Sequence, residues 1–178
     1  MNWITSSNTI IFGPTFNSKL DIEMISCFKI IIFSDYELNE KLFEYYANNN
    51  FDDLKFETKT SRFNQDVSVL PPSLTHLIFG WCFNKDVSKL PPFLTHLTFG
   101  NNFNQDVSNL PNSIIHLTFG YQFNQDVSVL PNKITHLTFG HKFNKDISKL
   151  PNSIIHLTFG NEFNQDVSVL PNKITHLT

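Results

Sequence analysis

A chain of 178 residues holds one domain or a short repeat array, and 40% apolar residues are enough to give it a core. A formal net charge of -3 without any basic run excludes the positive face that a nucleic acid or an anionic membrane surface would need. The longest apolar run, Ile30 to Phe33, is far too short to cross a bilayer, and the first ten residues lack the basic-then-apolar order of a secretion signal. Cys27 and Cys82 are far apart, show no zinc-like spacing and need no disulfide, so a reducing, cytoplasmic compartment is expected.

In chain order, the first recognisable stretch is "IIFGPTFN" at 10–17, followed by "KIIIF" at 29–33, both read as strands of one coil type. Next, "SDYELNEKLFEYYANNN" predicts a helix near 35–47. Ser34 and Glu37 form a capping box, Leu38, Leu42 and Tyr46 share a face, and an Asn run ends it. "DLKF" at 53–56 fits a further strand. Residues 1–62 are thus expected to be degenerate coils with a capping helix, and strand-end Phe residues at 12, 33 and 56 would continue at 79. Phe12, in a degraded first coil, is expected to be less well packed than a middle-coil ring such as Phe119.

From Phe63 the chain is periodic. The unit F-N-[QK]-D-[VI]-S-x-L-P-[NP]-x-[LI]-[TI]-H-L-[TI]-F-G-x-x starts at 63, 83, 103, 123 and 143, and a sixth, shorter by four residues, starts at 163. "FNQDVSVLPNKITHLT" is identical at 123–138 and 163–178, which points to duplication of a 40-residue block. Twenty residues cannot bury a core alone, so the units must stack as a solenoid. In "LTHLTF" the apolar Leu97 and Phe99 alternate with His96 and Thr98, a strand period. The prolines before it cannot join a ladder and mark its start. Gly100 and its equivalents end it at a turn that other residues resist. "FNQDVSxLP" on the opposite side reads as extended chain with tight or 3₁₀ turns. The expected fold is mainly β: a right-handed, leucine-rich-repeat-like parallel β-solenoid of 20-residue coils, with one helix in the N-terminal region.

Equal positions in successive coils lie about 4.8 Å apart, so each column is a physical ladder. The Phe63 and Phe79 columns, with those of Leu70, Leu74 and Leu77, fill the core. The Asn64 column is expected to bond unpaired backbone groups and the next coil. The Asp66 column is either a row of turn-stabilising carboxylates or a row of calcium ligands, although "FNQDVS" lacks the glycines of calcium-binding coils. His76, His96, His116, His136, His156 and His176 project outward beside a mostly Thr column. They can be a stacked surface ladder, the centre of a partner-binding face, or pairs of ligands for zinc or copper. No carboxylate or Cys joins them on that face, and no residue is assigned to a metal. Like charges at this spacing repel, so their pKa values are expected to fall below about 6.5.

The words "FNQ", "LPxSL" and "LTFG", in one order at one spacing over 63–178, resemble the FNIP repeat, which is grouped with leucine-rich repeats and found in amoebae and their giant viruses. The unit here is slightly shorter than the family's usual one of about 22 residues. Many viral members also carry an N-terminal F-box; residues 1–62 show one clear helix, so that role is not expected to carry over. The resemblance implies a solenoid used for protein binding, in a viral case in the host cytoplasm, and no chemistry.

Catalysis is not expected, because active sites are singular and every candidate group here is repeated. The singular residues Trp81, Cys82, Tyr121 and His141 fall at the two variable positions after Gly, along one edge. The expected function is a non-catalytic scaffold without cofactor, holding an unknown protein partner on its strand-lined face through the six His. The alternative is a self-assembling protein, a homodimer through the C-terminal strand edge of "KITHLT". Neither nucleic acid nor membrane is expected as a partner.

Overall fold

The computed structural model describes residues 3–35 and 60–178. Their strands form one nine-stranded sheet in sequence order. β1 (Trp3–Thr5) pairs antiparallel with β2 (Thr9–Phe12). From there the sheet is parallel through β3 (Ile30–Phe33), β4 (His76–Ile78), β5 (His96–Thr98), β6 (His116–Thr118), β7 (His136–Thr138), β8 (His156–Thr158) and β9 (His176–Leu177). The reversal at β1 was not foreseen. It gives the first parallel strand a hydrogen-bonded neighbour, so the edge of the described sheet is the short antiparallel β1 and not β2.

Each coil is one short strand and three tight turns. In the third coil the turns close through backbone bonds from Leu70 to Val67 (3.2 Å), Leu74 to Pro71 (3.0 Å) and Phe83 to Gly80 (3.3 Å). Every turn therefore ends on a residue that enters the core. Pro71 and its equivalents open the second turn, where their fixed φ is suited and their missing N–H costs nothing.

The core is a double aromatic ladder. Phe79, Phe99, Phe119 and Phe139 follow one another at 5.6–5.7 Å. Phe83, Phe103, Phe123 and Phe143 follow at 6.1 Å. Within a coil the two columns meet face to face, as at Phe99–Phe103, 3.7 Å. The irregular N-terminus continues both: Phe12 stacks on Phe33 at 5.2 Å and Phe16 on Phe63 at 6.0 Å. Phe12 is fully buried, so the expectation that it is poorly packed is wrong.

Glycine closes each strand for a reason other than the one expected. No left-handed backbone is required at Gly100; its successive backbones simply lie one on another. A Cβ at Gly100 would fall on the Gly80 carbonyl, and one at Gly120 on the Gly100 carbonyl.

The chain breaks period once. Phe33 and Phe79 are 46 positions apart, where later strand-end Phe residues are 20 apart, yet they stack directly at 5.8 Å and β3 pairs directly with β4. The extra 26 residues leave the coil at its post-strand corner and return there. Phe33 meets Phe63 at 3.7 Å, the same contact that Phe79 makes with Phe83 across only three residues. Asp35 ties the corner, accepting the N–H of Ser61 at 2.6 Å and of Trp81 at 2.8 Å. Burial raises its pKa, and these two bonds oppose the rise. The expected strand at 53–56 and helix at 35–47 lie outside the described residues, apart from Asp35. The sheet has no place between β3 and β4 for a strand. The described helix is a short one missed in the sequence, α1 (Ile22–Ile25), capped by Asp21, whose carboxylate accepts the Glu23 N–H at 2.9 Å.

Candidate functional site: the imidazole ladder

Three-residue strands of the form His-Leu-Thr send Leu inward and leave His and Thr on the outer face, because side chains alternate along a strand. Strand register places His76, His96, His116, His136, His156 and His176 directly opposite one another. Their rings stack at 4.1–4.3 Å, with planes 8–15° apart. All six expected site residues are thus brought into one row. They are half-buried, except for exposed His176.

The row curves. Parallel strands stand about 4.8 Å apart. The imidazoles outside the sheet are closer than that, and the Phe rings inside are farther apart. The coils therefore fan about the His side, which makes the strand face concave.

At four of the six rungs the residue before the His is a Thr that fixes the ring. Thr75 Oγ1 lies 2.9 Å from His76 Nδ1 and 3.1 Å from the Lys29 carbonyl. Thr95 repeats both contacts with His96 Nδ1 (2.9 Å) and the Thr75 carbonyl (3.1 Å). Thr135 and Thr175 hold His136 and His176 at 2.8 and 2.9 Å, with the carbonyl at 3.5 Å. Ile115 and Ile155 occupy this position before His116 and His156, so those rings lack the hydroxyl.

The pKa values of His76, His96, His116 and His136 are lowered, that of His96 to about 4. Burial of the ring is the larger cause and neighbouring imidazoles the smaller, which corrects the expectation that repulsion leads. A ring stacked on both sides, as His96, His116 and His136 are, gives up both faces of its hydration before any charge is placed on it.

The other polar ladders serve the coil. Each Asp of the Asp66 column accepts from the Ser two residues on: Asp106 takes the Ser108 N–H at 3.0 Å and its hydroxyl at 2.7 Å. These bonds hold the carboxylates below their ordinary range. This is the turn-stabilising alternative of the two that the sequence left open. Each Asn of the Asn64 column accepts the N–H of the next, as Asn84 does from Asn104 at 3.0 Å, and Asn17 begins the row by accepting from Asn64 at 3.1 Å. On the post-strand edge, Tyr121 stacks on His141 at 4.6 Å, and His141 Nε2 lies 3.4 Å from Glu162. Among the described residues no group of three or more His, Cys, Asp or Glu is placed to hold a metal ion. No helix among them is long and apolar enough to cross a membrane.

A parallel sheet of one strand per coil, wound over stacked Phe and Leu and curved toward its strands, defines a leucine-rich-repeat-like β-solenoid. The FNIP Repeat profile matches residues 83–122, 106–142 and 143–178, more than half of the chain. The chain belongs to the FNIP repeat family. Among solved structures it is similar to CroV588, a giant-virus protein described as a novel circular LRR protein structure, with 39% identity and a TM-score of 0.70 over 96% of this chain. The chain spans about a quarter (26%) of that protein's length. None of the curated proteins matches it.

Proposed function

We propose that the chain is a non-catalytic scaffold that holds a protein partner against its concave strand face, with the imidazole row at the centre of the contact. One observation carries this reading. The same outward column is occupied by Thr9 in β2 and Ile30 in β3, which pair in register with the later strands. The solenoid therefore forms without His in this position, whereas Phe is kept in the core column from Phe12 onward. A row that the coil does not need for its winding is available for recognition. The fan of the coils supports the same view, since it turns the row into the floor of a groove. The circular form of CroV588 suggests that this chain is an arc of the kind from which a ring is built.

The test is affinity capture from an amoebal lysate by three proteins: the wild type, a variant with His96, His116 and His136 changed to Ser, and a control with Lys89 and Lys149 changed to Ser. A partner retained by wild type and control and lost by the His variant is expected. Equal retention by all three would remove the imidazole row from the contact.

A further inference from the structure

The threonine contacts determine more than ring orientation. A Thr hydroxyl has one proton. At Thr75 and Thr95 the oxygen is within bonding distance of both a backbone carbonyl, which can only accept, and the His Nδ1. Both bonds are made only if the hydroxyl donates to the carbonyl and Nδ1–H donates to the hydroxyl. His76 and His96 are then Nδ1–H tautomers, and each Nε2 is a bare acceptor. Neither Nε2 has a partner among the described residues, and neither is sealed from solvent, as Ser61 Oγ is. Ile115 and Ile155 interrupt the Thr column, so this is the one adjacent pair of rungs in which both rings follow a Thr.

The two rings lie 4.1 Å apart and 9° from parallel, so their lone pairs point the same way with nearly that separation. Acceptors so placed cannot converge on one atom. They suit a fork of parallel donors, as the two oxygens of a carboxylate do. The end of a guanidinium is such a fork. Delocalised C–N bonds of about 1.33 Å at 120° set its two terminal nitrogens about 2.3 Å apart. Hydrogen bonds of about 2.9 Å, each splayed outward by roughly 18°, then reach acceptors about 4.1 Å apart and stay close to linear.

We propose that the His76–His96 pair is a receptor for one arginine side chain of the protein partner, with one terminal N–H of the guanidinium bonded to each Nε2. This inference rests on the partner reading above and names the group that enters the row. A Lys ammonium donates from a single point and does not match parallel acceptors. A carboxylate is refused, because two bare lone pairs offer it no donor. The rings stay uncharged at neutral pH because burial holds both pKa values down, so the cation meets no positive charge in the pair.

The experiment is a nuclear magnetic resonance titration of the ¹⁵N-labelled full chain with the peptide acetyl-Gly-Arg-Gly-amide at about pH 7.5, above the ordinary His range. Saturable movement of the His76 and His96 Nε2 signals is expected. The Lys peptide of the same frame should bind at least about tenfold more weakly, and the Glu peptide should leave these signals in place. His96→Ser removes one acceptor and should weaken the Arg peptide at least about tenfold, whereas His141→Ser should change nothing. Thr95→Val keeps both imidazoles; it should weaken binding, and the ¹⁵N shifts of His96 should show loss of the Nδ1–H tautomer. The far-ultraviolet spectrum establishes that each variant is folded. An Arg peptide that moves no Nε2 signal, that binds folded His96→Ser as well as wild type, or that binds no better than the Lys peptide overturns the proposal, as does a wild-type His96 found as the Nε2–H tautomer. These results are separable from the capture experiment. A lysate partner lost with the triple His variant, beside an inert Arg peptide, removes the arginine alone, whereas a partner kept by that variant removes the partner reading.

Discussion

The first two parallel strands and the six that follow agree on their inner face and differ on their outer one. Inside, Phe12 and Phe33 head the same aromatic column as Phe79 to Phe159, and Asn17 heads the Asn ladder. Outside, Thr9 and Ile30 stand where His stands later, and Ile11 and Ile32 stand where Ile78 and then Thr stand. Ile11 and Ile32 are buried, whereas Thr98 and its equivalents are half-exposed. The comparison separates what the winding requires, a Phe pair and an Asn acceptor per coil, from what the later coils add.

The strongest test of that separation is in the core. Phe119→Ala should cost about 3–5 kcal/mol, because the ring is fully packed between its neighbours and the ladder cannot collapse around one missing rung. Phe12→Ala should cost within about 1 kcal/mol of the same, and urea unfolding measures both. A loss at Phe12 of only a fraction of that at Phe119 would break the claim that the two regions share one core. Next in size is Gly120→Ala. Its Cβ would fall on the Gly100 carbonyl and should cost about 1–3 kcal/mol through forced displacement of a coil. The corresponding position after Phe33 is already Ser34, so Ser34→Ala should be milder, and thermal melts of the two variants compare them directly. Smaller again is Asn104→Ala, which strands the Asn124 N–H and leaves Gln125 bonded only to the residue 104 carbonyl; roughly 1–2 kcal/mol is expected by urea titration.

The smallest effect is specific to the later coils. The four lowered imidazoles have folded pKa values below the unfolded reference of about 6.5, so the unfolded chain binds more protons as pH falls. Their contribution to stability is complete above about 6.5 and is lost as pH falls from there toward the folded values, about 4 for His96. The urea midpoint should drop between about pH 7.5 and pH 5, a window that stays above the carboxylate range. His96→Ser should flatten that drop. A slope unchanged by the substitution would detach the acid sensitivity from the ladder.

Much of this was legible in the sequence because one constraint repeats. The alternation of Leu97 and Phe99 with His96 and Thr98 specified strand, face and register together, and the 20-residue period specified the stacking. Less was legible where a property belongs to neighbouring coils. The glycine after each strand looked like a turn residue, but its need arises from the backbone of the coil beneath. Thr95 carried no signal of its own in the sequence, whereas its hydroxyl lies 2.9 Å from His96 Nδ1 and 3.1 Å from the Thr75 carbonyl of the coil beneath. Between Phe33 and Phe63 the strand-like spacing at 53–56 suggested one more coil in the sheet, whereas β3 pairs directly with β4. Only the direct pairing of Ile31 with Leu77 shows that the ladder passes over that segment.

The corner at Asp35 bears on engineering. The chain departs and rejoins within one post-strand bend, and the stacking of Phe33 on Phe79 and on Phe63 is kept across it. Replacing the native segment by a peptide epitope at this bend should therefore leave the Phe33–Phe79 stack in place. The same splice at the equivalent bend after Phe119, between Tyr121 and Gln122, should leave every ladder in register. If that splice is accepted, the array is a rack, on which cargo is mounted at intervals of one coil along a single edge.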